Sequence, residues 1–189
     1  VDAGLLSQGR SRWLASAIHI SQGASNMQIF SHDNWFIYGF KLLLRQSGIE
    51  NTDNIVVFDS GAEIIYLTSK EEIARNRGAD SLSLFTEIRG YLLTKSMSPE
   101  EYCYYVFRIT EGRPLPDSTR LLSLREKTVM QYYLNGVWQK EIARKMQTSE
   151  RSVCCSQSRA LRKMKIKNVS QFLSVMCNWR ELEDTLIHY

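Results

Sequence analysis

Side chains suited to contacting a polyanion are concentrated in one stretch, residues 149–164, which read SERSVCCSQSRALRKM. The stretch opens with a serine typical of a helix start and carries arginines at positions 151, 159 and 162. Arginine makes bidentate contacts with bases and phosphates, so the pattern favours recognition of a nucleic acid. Cys154 and Cys155 lie at the centre, where a DNA-reading helix would offer Lys, Arg, Asn or Gln.

A helix over this stretch would have two distinct faces. The residues predicted to face inward are Val153, Ala160, Leu161 and Met164. The opposite stripe holds Arg151, Cys155, Ser158 and Arg162, with Cys154 and Arg159 at its edges. A small, mildly apolar cysteine suits contact with a thymine methyl group. A disulfide between the adjacent cysteines is not expected, because neighbouring side chains on a helix point about 100° apart.

Three further helices are predicted around this stretch. Ser123 and Glu126 form a capping box for a helix that ends at Gly136. A short helix, WQKEIARKM, follows at 138–146; QTS then forms a tight turn, and NVSQFLSVMCNW (168–179) is the last helix. The apolar positions predicted to face inward in these three are Val129, Met130, Tyr133, Leu134, Ile142, Ala143, Met146, Val169, Phe172, Leu173 and Met176. Helix, short helix, tight turn, helix is the helix-turn-helix arrangement.

Residues 122–173 resemble the LuxR-type (NarL/FixJ-type) DNA-binding domain of bacterial transcription regulators. That family reads roughly LTxREREVLxLxAxGxSNKEIAxxLxISxxTVKxHxxxIxxKLxVxNRxxA, and this chain reads LSLREKTVMQYYLNGVWQKEIARKMQTSERSVCCSQSRALRKMKIKNVSQFL. The residues in register are Leu122, Arg125, Glu126, Val129, Gly136, Lys140, Glu141, Ile142, Ala143, Ser149, Val153, Lys163 and Asn168. The resemblance implies an all-α, four-helix domain that binds double-stranded DNA.

The chain departs from the family pattern where TVKxH becomes Ser152, Val153, Cys154, Cys155 and Ser156. Either DNA contacts have moved to arginines on the same face, or the domain has lost DNA reading and pairs with another regulator. The retained arginines favour the first interpretation. The predicted DNA-binding residues are Lys140, Arg151, Ser152, Cys154, Cys155, Ser158, Arg159, Arg162, Lys163, Lys165 and Lys167. Those at 159, 162, 163, 165 and 167 are expected to contact phosphates, which position the protein without reading sequence.

The charge of the 189-residue chain is distributed unevenly. Residues 118–189 carry 13 basic and 6 acidic residues, whereas residues 1–117 carry 11 basic and 14 acidic ones. EGRPLPDSTR (111–120) holds two of the three prolines and predicts a linker. The predicted divisions are an N-terminal extension (1–25), an α/β domain (26–112), a linker (113–121) and a helix-turn-helix domain (122–189). With 43% hydrophobic residues and no run long enough for a membrane span, we expect a globular protein without membrane contact.

Residues 27–112 alternate strand and helix patterns. MQIF, NIVVFD (54–59), EIIYLTS (63–69) and IRGYLLTK (88–95) are predicted strands. Helices are predicted after SHD (31–33), over KEEIARNRG and from Ser98, which with Glu101 forms a capping box. This alternation favours an open parallel α/β sheet, incomplete by about one βα unit. IFSHDNWFIYGFKLLL and RGYLLTKSMSPEEYCYYVFRITEGRPLPD resemble the first and last strand–helix units of a response-regulator receiver domain.

The receiver resemblance implies a phosphoacceptor aspartate beside an acid pair that holds Mg²⁺, a Ser/Thr and a Lys. Ser31 and His32 occupy the acid-pair positions, and Asp33 lies one place late. Asp59 is the candidate phosphoacceptor, and Thr68 and Lys95 are candidates for the last two positions, Lys95 one residue out of register. The domain is therefore predicted to be receiver-like and degenerate, and not phosphorylated.

These patterns together predict a cytoplasmic, nucleoid-associated bacterial transcription regulator. Its receiver-like domain is expected to supply contacts for a homodimer, or for a heterodimer with another regulator. The alternatives are a phosphorylation-dependent response regulator and an accessory regulator that acts mainly by heterodimerising. No nucleophile–base pair is evident, and Cys103, Cys154, Cys155 and Cys177 lack metal-ligand spacing, so we expect no enzyme activity, cofactor or metal.

Overall fold

The computed structural model describes residues 27–61 and 63–187, so the predicted extension at 1–25 lies outside the described residues. The N-terminal half contains β1 (Gln28–Phe30), α1 (Asn34–Gln46), β2 (Ile55–Asp59), β3 (Ile64–Ser69), α2 (Lys70–Arg75), α3 (Ser81–Glu87), β4 (Tyr91–Thr94) and α4 (Pro99–Thr110). The C-terminal half contains α5 (Leu124–Leu134), α6 (Gln139–Lys145), α7 (Glu150–Lys163) and α8 (Val169–Ile187). An α/β region followed by an all-helical region is the predicted fold class.

The sheet has four strands in the order β1-β2-β3-β4 and is mixed, not parallel as predicted. Strands β1 and β2 are parallel, but β3 runs antiparallel to both of its neighbours, β2 and β4. Only residues 60–63 separate β2 from β3, and a parallel connection needs a dozen or more residues. The backbone N–H and the hydroxyl of Ser60 both donate to the Ile64 carbonyl, which closes the hairpin.

Helices cover both faces of the sheet, which explains why every residue of β2 is buried. On one face α1 and α4 contribute Phe40, Leu44 and Val106 to a core with Ile55 and Val57 of β2. On the other face a second core contains Val56, Phe58 and Tyr66 of the sheet, Phe85 of α3, and residues of α5, α7 and α8. We call this second cluster the shared core, because it joins the two halves of the chain.

Helix α8 contributes most to the shared core from the C-terminal half. It continues beyond the predicted end at residue 179, and Trp179, Leu182 and Leu186 extend its buried stripe. The ring of Trp179 lies 5.2 Å from that of Phe58 and 5.3 Å from that of Phe85, measured between centroids. The prediction that Leu173 faces inward is wrong: it is 40% exposed, and Val175 is buried in its place.

Helix α3, which the sequence patterns did not predict, supplies the sheet-side surface for α8. Its sequence SLSLFTE alternates polar and apolar residues as a strand would, so helical periodicity is not visible. Asp80 caps it by accepting from the backbone N–H of Ser83. The side chain of Ser81 donates to Glu183 of α8 at 2.6 Å, which fastens the two helices.

The predicted linker packs against the N-terminal half. The Arg120 guanidinium is buried, and it donates from Nε to the Phe85 carbonyl at 3.1 Å and from Nη2 to the Ile88 carbonyl at 3.2 Å. It also stacks over the ring of Tyr66 at 4.5 Å. The Tyr66 hydroxyl in turn donates to the Met164 carbonyl at the end of α7, and burial raises the pKa of Tyr66 to about 12. Buried contacts therefore join the N-terminal half both to the linker, through Arg120, and to the end of α7, through Tyr66.

Candidate functional site

Helices α6 and α7 are joined by a tight turn at residues 146–149. Within the turn, Gln147 has a left-handed backbone (φ 49°), and the Thr148 N–H donates to the Ala143 carbonyl at 2.9 Å. The hydroxyl of Ser149 accepts from the Ser152 N–H at 3.2 Å and caps α7, as the sequence predicted. This is helix-turn-helix geometry.

Three side chains of α5 hold α7 at its beginning, middle and end. At the beginning, Arg125 Nη2 donates to the hydroxyls of Thr148 (2.8 Å) and Ser152 (3.0 Å). In the middle, the Tyr133 hydroxyl donates to the Gln157 side chain at 2.8 Å, and at the end Lys163 Nζ lies 2.6 Å from a Glu126 carboxylate oxygen. The outer face of α7 is thereby presented in one fixed orientation.

The ion pair at the end of α7 is maintained at neutral pH. Burial alone would raise the pKa of Glu126, but hydrogen bonds from Lys163 and from Ser123 outweigh it, so the pKa lies below its usual value. Glu126 therefore stays ionised while it caps α5 through the Ser123 N–H at 2.7 Å. The stabilisation from this pair is complete above the usual glutamate pKa and is lost progressively as the pH falls from there through the lowered pKa of Glu126.

The family model described as bacterial regulatory proteins, luxR family, matches residues 120–176. Residues 120–176 are a luxR-family helix-turn-helix domain. The matched residues include α5, α6 and α7 in full and the start of α8. A search of curated proteins and a search of solved structures found no significant match to the chain.

The luxR-family domain buries the residues of α7 that were predicted to face inward and exposes those predicted to face outward. Val153, Ala160, Leu161 and Met164 are all buried. The exposed predicted DNA-binding residues are Lys140, Arg151, Cys154, Cys155, Ser158, Arg159, Arg162, Lys165 and Lys167. The predicted inward face of α7 is therefore confirmed, and the three arginines lie on its exposed side.

Two predicted DNA-binding residues make hydrogen bonds or ion pairs within the domain itself. Ser152 is half-buried and accepts from Arg125, and Lys163 is half-buried and paired with Glu126. Both therefore help to position α7, and their contacts with DNA stay a prediction.

Trp138 is an exposed residue of this domain that the sequence patterns did not single out. It is the N-cap of α6, is 82% exposed, and makes no side-chain capping hydrogen bond. The luxR-type family pattern has a serine at this position, so the tryptophan in its place was the signal in the sequence that could have identified this residue. An indole at the start of the first helix of a helix-turn-helix lies on the element that crosses the DNA backbone.

In the N-terminal half, Asp59 is the centre of a compact polar cluster. Its carboxylate accepts from the Ser31 hydroxyl at 2.7 Å, from Lys95 Nζ at 2.9 Å and from the Gly61 N–H at 2.9 Å. The Asp59 side chain is buried, whereas Lys95 is partly exposed and lies over the Phe36 ring. Lys95 thus reaches the aspartate, as the receiver resemblance implied, despite its shifted register.

The cluster does not fit Mg²⁺. Ser31 binds Asp59 directly, and Asp33 caps α1 by accepting from the Trp35 and Phe36 N–H groups. Within residues 27–61 and 63–187 no group of three or more His, Cys, Asp or Glu side chains could hold a metal ion. The Asp59 carboxylate is therefore paired with a lysine and hydrogen-bonded by two neutral donors. Among the described residues it lacks the neighbouring carboxylates that a hard cation prefers.

The expectation that Thr68 joins Asp59 is wrong. Because β3 is antiparallel to β2, Thr68 pairs with Val56, whereas Asp59 pairs with Ile65 at the other end of the hairpin. The Thr68 hydroxyl donates instead to the Arg89 carbonyl at 2.7 Å.

None of the helices in the described parts of the chain combines the length and hydropathy needed to cross a membrane.

Proposed function

We propose that the protein is a transcriptional regulator of the bacterial cytoplasm that binds double-stranded DNA through α7. We further propose that its N-terminal half supplies dimer contacts and works without phosphorylation. The observation that carries the proposal is the luxR-family domain with an exposed arginine face on α7. The luxR family consists of DNA-binding regulators, and arginine is the side chain most used to contact guanine in the major groove.

The exposed cations lie in two places, and each group is expected to make a different kind of contact with DNA. Arg151, Arg159 and Arg162 are exposed along α7 itself, so they can enter a groove. Lys165 and Lys167 follow the end of α7 and are also exposed, which suits contacts with phosphates along the groove edge. The first group would supply sequence preference, and the second would supply affinity and its dependence on salt.

The test of DNA binding is the salt dependence of affinity for the full chain. Fluorescence anisotropy with a duplex library should show the logarithm of affinity falling linearly with the logarithm of salt concentration, by about 0.9 for each phosphate contact. Replacing Lys165 and Lys167 together by glutamine should make this slope shallower by the contribution of two phosphate contacts, about 0.9 each. Arg75→Gln, on α2 and paired with acids, is the matched control and should leave it unchanged. A flat dependence in the wild type would exclude electrostatic DNA binding.

The surface proposed for dimer contacts is the α1 stripe, formed by Trp35, Tyr38 and Leu42. These three side chains recur at helical spacing on the outer face of α1, and all are exposed, Trp35 by 86%. Large contiguous apolar patches on a protein surface typically mark interaction sites. A second copy of the chain is the proposed occupant, because helix-turn-helix domains commonly bind two half-sites as a symmetric dimer.

Replacing Trp35 and Leu42 together by serine should convert a dimer into a monomer at equal protein concentration. The loss of two central apolar side chains is expected to raise the dimer dissociation constant by at least about tenfold, as measured by sedimentation velocity. Leu124→Ser removes a leucine of α5 that is 83% exposed, against 42% for Leu42, and should leave the dimer intact. A monomeric wild type at about 100 µM, or dissociation by Leu124→Ser, would rule out this surface.

Exposure to acetyl phosphate should leave the protein unmodified. The Asp59 carboxylate already accepts three hydrogen bonds, and the residues around it do not provide a Mg²⁺ site to activate a phosphodonor. Intact-mass spectrometry, with Asp59→Asn as the matched control, measures the outcome. Stoichiometric phosphate on the wild type that is absent from the control would overturn the proposal and restore the response-regulator interpretation.

A further inference from the structure

A cleft of about 320 Å³ lies beside β4, an edge strand of the sheet. Its lining residues are Tyr91 of β4, Tyr104, Tyr105 and Arg108 of α4, and Pro114 and Pro116 of the predicted linker. The Gly90 N–H donates to the Pro116 carbonyl at 3.1 Å, which fixes the proline wall against the sheet. The volume is in the range of pockets that accept small molecules.

Arg108 brings an uncompensated positive charge to this cleft. Its Nη1 donates to the Tyr104 hydroxyl at 3.2 Å, while its Nε is buried and has no hydrogen-bond partner among the described residues. Over residues 27–61 and 63–187 no carboxylate forms an ion pair with Arg108, whereas Arg75 pairs with two carboxylates and Arg89 and Arg113 with one each. A guanidinium that lines a cleft and has no counter-ion is suited to binding an anion.

The tyrosines complete the polar end of the cleft. Hydrogen bonds to the hydroxyls of Tyr104 and Tyr91 raise the pKa of Arg108 above its usual value. Since these phenol oxygens accept from the guanidinium, their own O–H groups remain able to donate to a ligand. The cleft therefore offers one cation and two hydroxyl donors at one place.

The remaining walls are flat and apolar. The rings of Tyr91 and Tyr105 lie 4.8 Å apart between centroids, and Tyr104 meets Tyr105 edge to face at 5.3 Å. Together with the two proline rings they suit an aromatic ring, which packs favourably against other rings. We propose that this cleft binds a small aromatic carboxylate, whose anion meets Arg108 and the Tyr91 and Tyr104 hydroxyls while its ring packs on Tyr105 and the prolines.

Fluorine NMR of para-fluorobenzoate with the full chain tests this site directly. The wild type should bind the probe with a dissociation constant of about 1 mM or lower. The neutral analogue para-fluorobenzamide should bind at least about tenfold more weakly, because it lacks the charge that Arg108 recognises. Because the probe itself is observed, the result is independent of DNA binding and of dimer formation.

Arg108→Gln should weaken binding of para-fluorobenzoate by about tenfold or more. The matched control is Arg113→Gln, an exposed arginine that pairs with Glu111 and does not line the cleft, and it should bind like the wild type. Tyr91→Phe keeps the ring and removes one hydroxyl, so it should weaken binding of para-fluorobenzoate more than binding of para-fluorobenzamide. This variant tests the site even if Arg108→Gln folds poorly. Equal binding by all variants, or no binding by the wild type up to about 20 mM, would overturn the proposal.

Discussion

Trp179→Ala is expected to lower the free energy of unfolding of the whole chain by about 3–5 kcal/mol. The indole is 1% exposed and packs against Phe58 of the sheet and Phe85 of α3. It also donates from Nε1 to Glu183 at 2.8 Å, and truncation leaves that partly buried carboxylate without this donor. Because these contacts cross between the halves, the loss should destabilise the sheet and the luxR-family domain together.

Chemical denaturation followed by far-ultraviolet and by near-ultraviolet circular dichroism measures this effect. The two signals should give one coincident transition in the wild type and in the variant. Trp138→Ala is the matched control, since that indole is exposed, and should change stability by less than about 0.5 kcal/mol. Separate transitions for the two halves, with only the C-terminal one shifted by Trp179→Ala, would show that the shared core does not couple them.

Single alanine substitutions at Arg151, Arg159 and Arg162 are expected to weaken specific DNA binding more than Cys155→Ala does. A bidentate arginine–guanine contact is worth about 1–3 kcal/mol, which corresponds to a loss of about tenfold or more in affinity. A thiol is a weak donor and cannot form such a contact. Cys155→Ala should therefore mainly relax preference at a step that contains thymine, where the sulfur would lie against the methyl group.

Quantitative binding of these variants to a selected duplex and to a scrambled duplex separates affinity from preference. Arg75→Ala is a suitable control, because Arg75 lies on α2, outside the luxR-family domain, and pairs with Glu71 and Glu72. Abolished binding by Cys155→Ala, with normal binding by the three arginine variants, would contradict the proposed orientation of α7 on DNA.

Helix starts and the apolar face of α7 were readable because these signals are local. Capping boxes at Ser98 and Ser123 and the apolar spacing of α7 are properties of neighbouring residues, and the structure has them as predicted. Strand direction was not readable in this way. Runs such as IVVFD and IIYLTS are buried on both faces, and that pattern, typical of parallel strands, also suits an antiparallel hairpin covered on both sides.

Contacts between distant segments were the least predictable. The approach of Lys95 to Asp59 followed from a family resemblance, but Thr68 failed because its position depends on the direction of β3. Nothing local to Trp179 or Arg120 indicates that each is buried against the sheet, since their partners lie many residues away. The Tyr and Arg side chains around β4 likewise come together only after α4 and the proline segment have packed.

The burial of α8 against the sheet affects how the protein can be divided. A fragment that begins at residue 118 would carry Trp179, Leu182 and Leu186 without the strands and helix that cover them. Such a fragment exposes an apolar ridge and should self-associate, so poor DNA binding by it would reflect aggregation instead of a missing recognition surface. We therefore expect that the domain cannot be excised or exchanged at the predicted linker. A functional chimera should keep residues 55–88 together with α8.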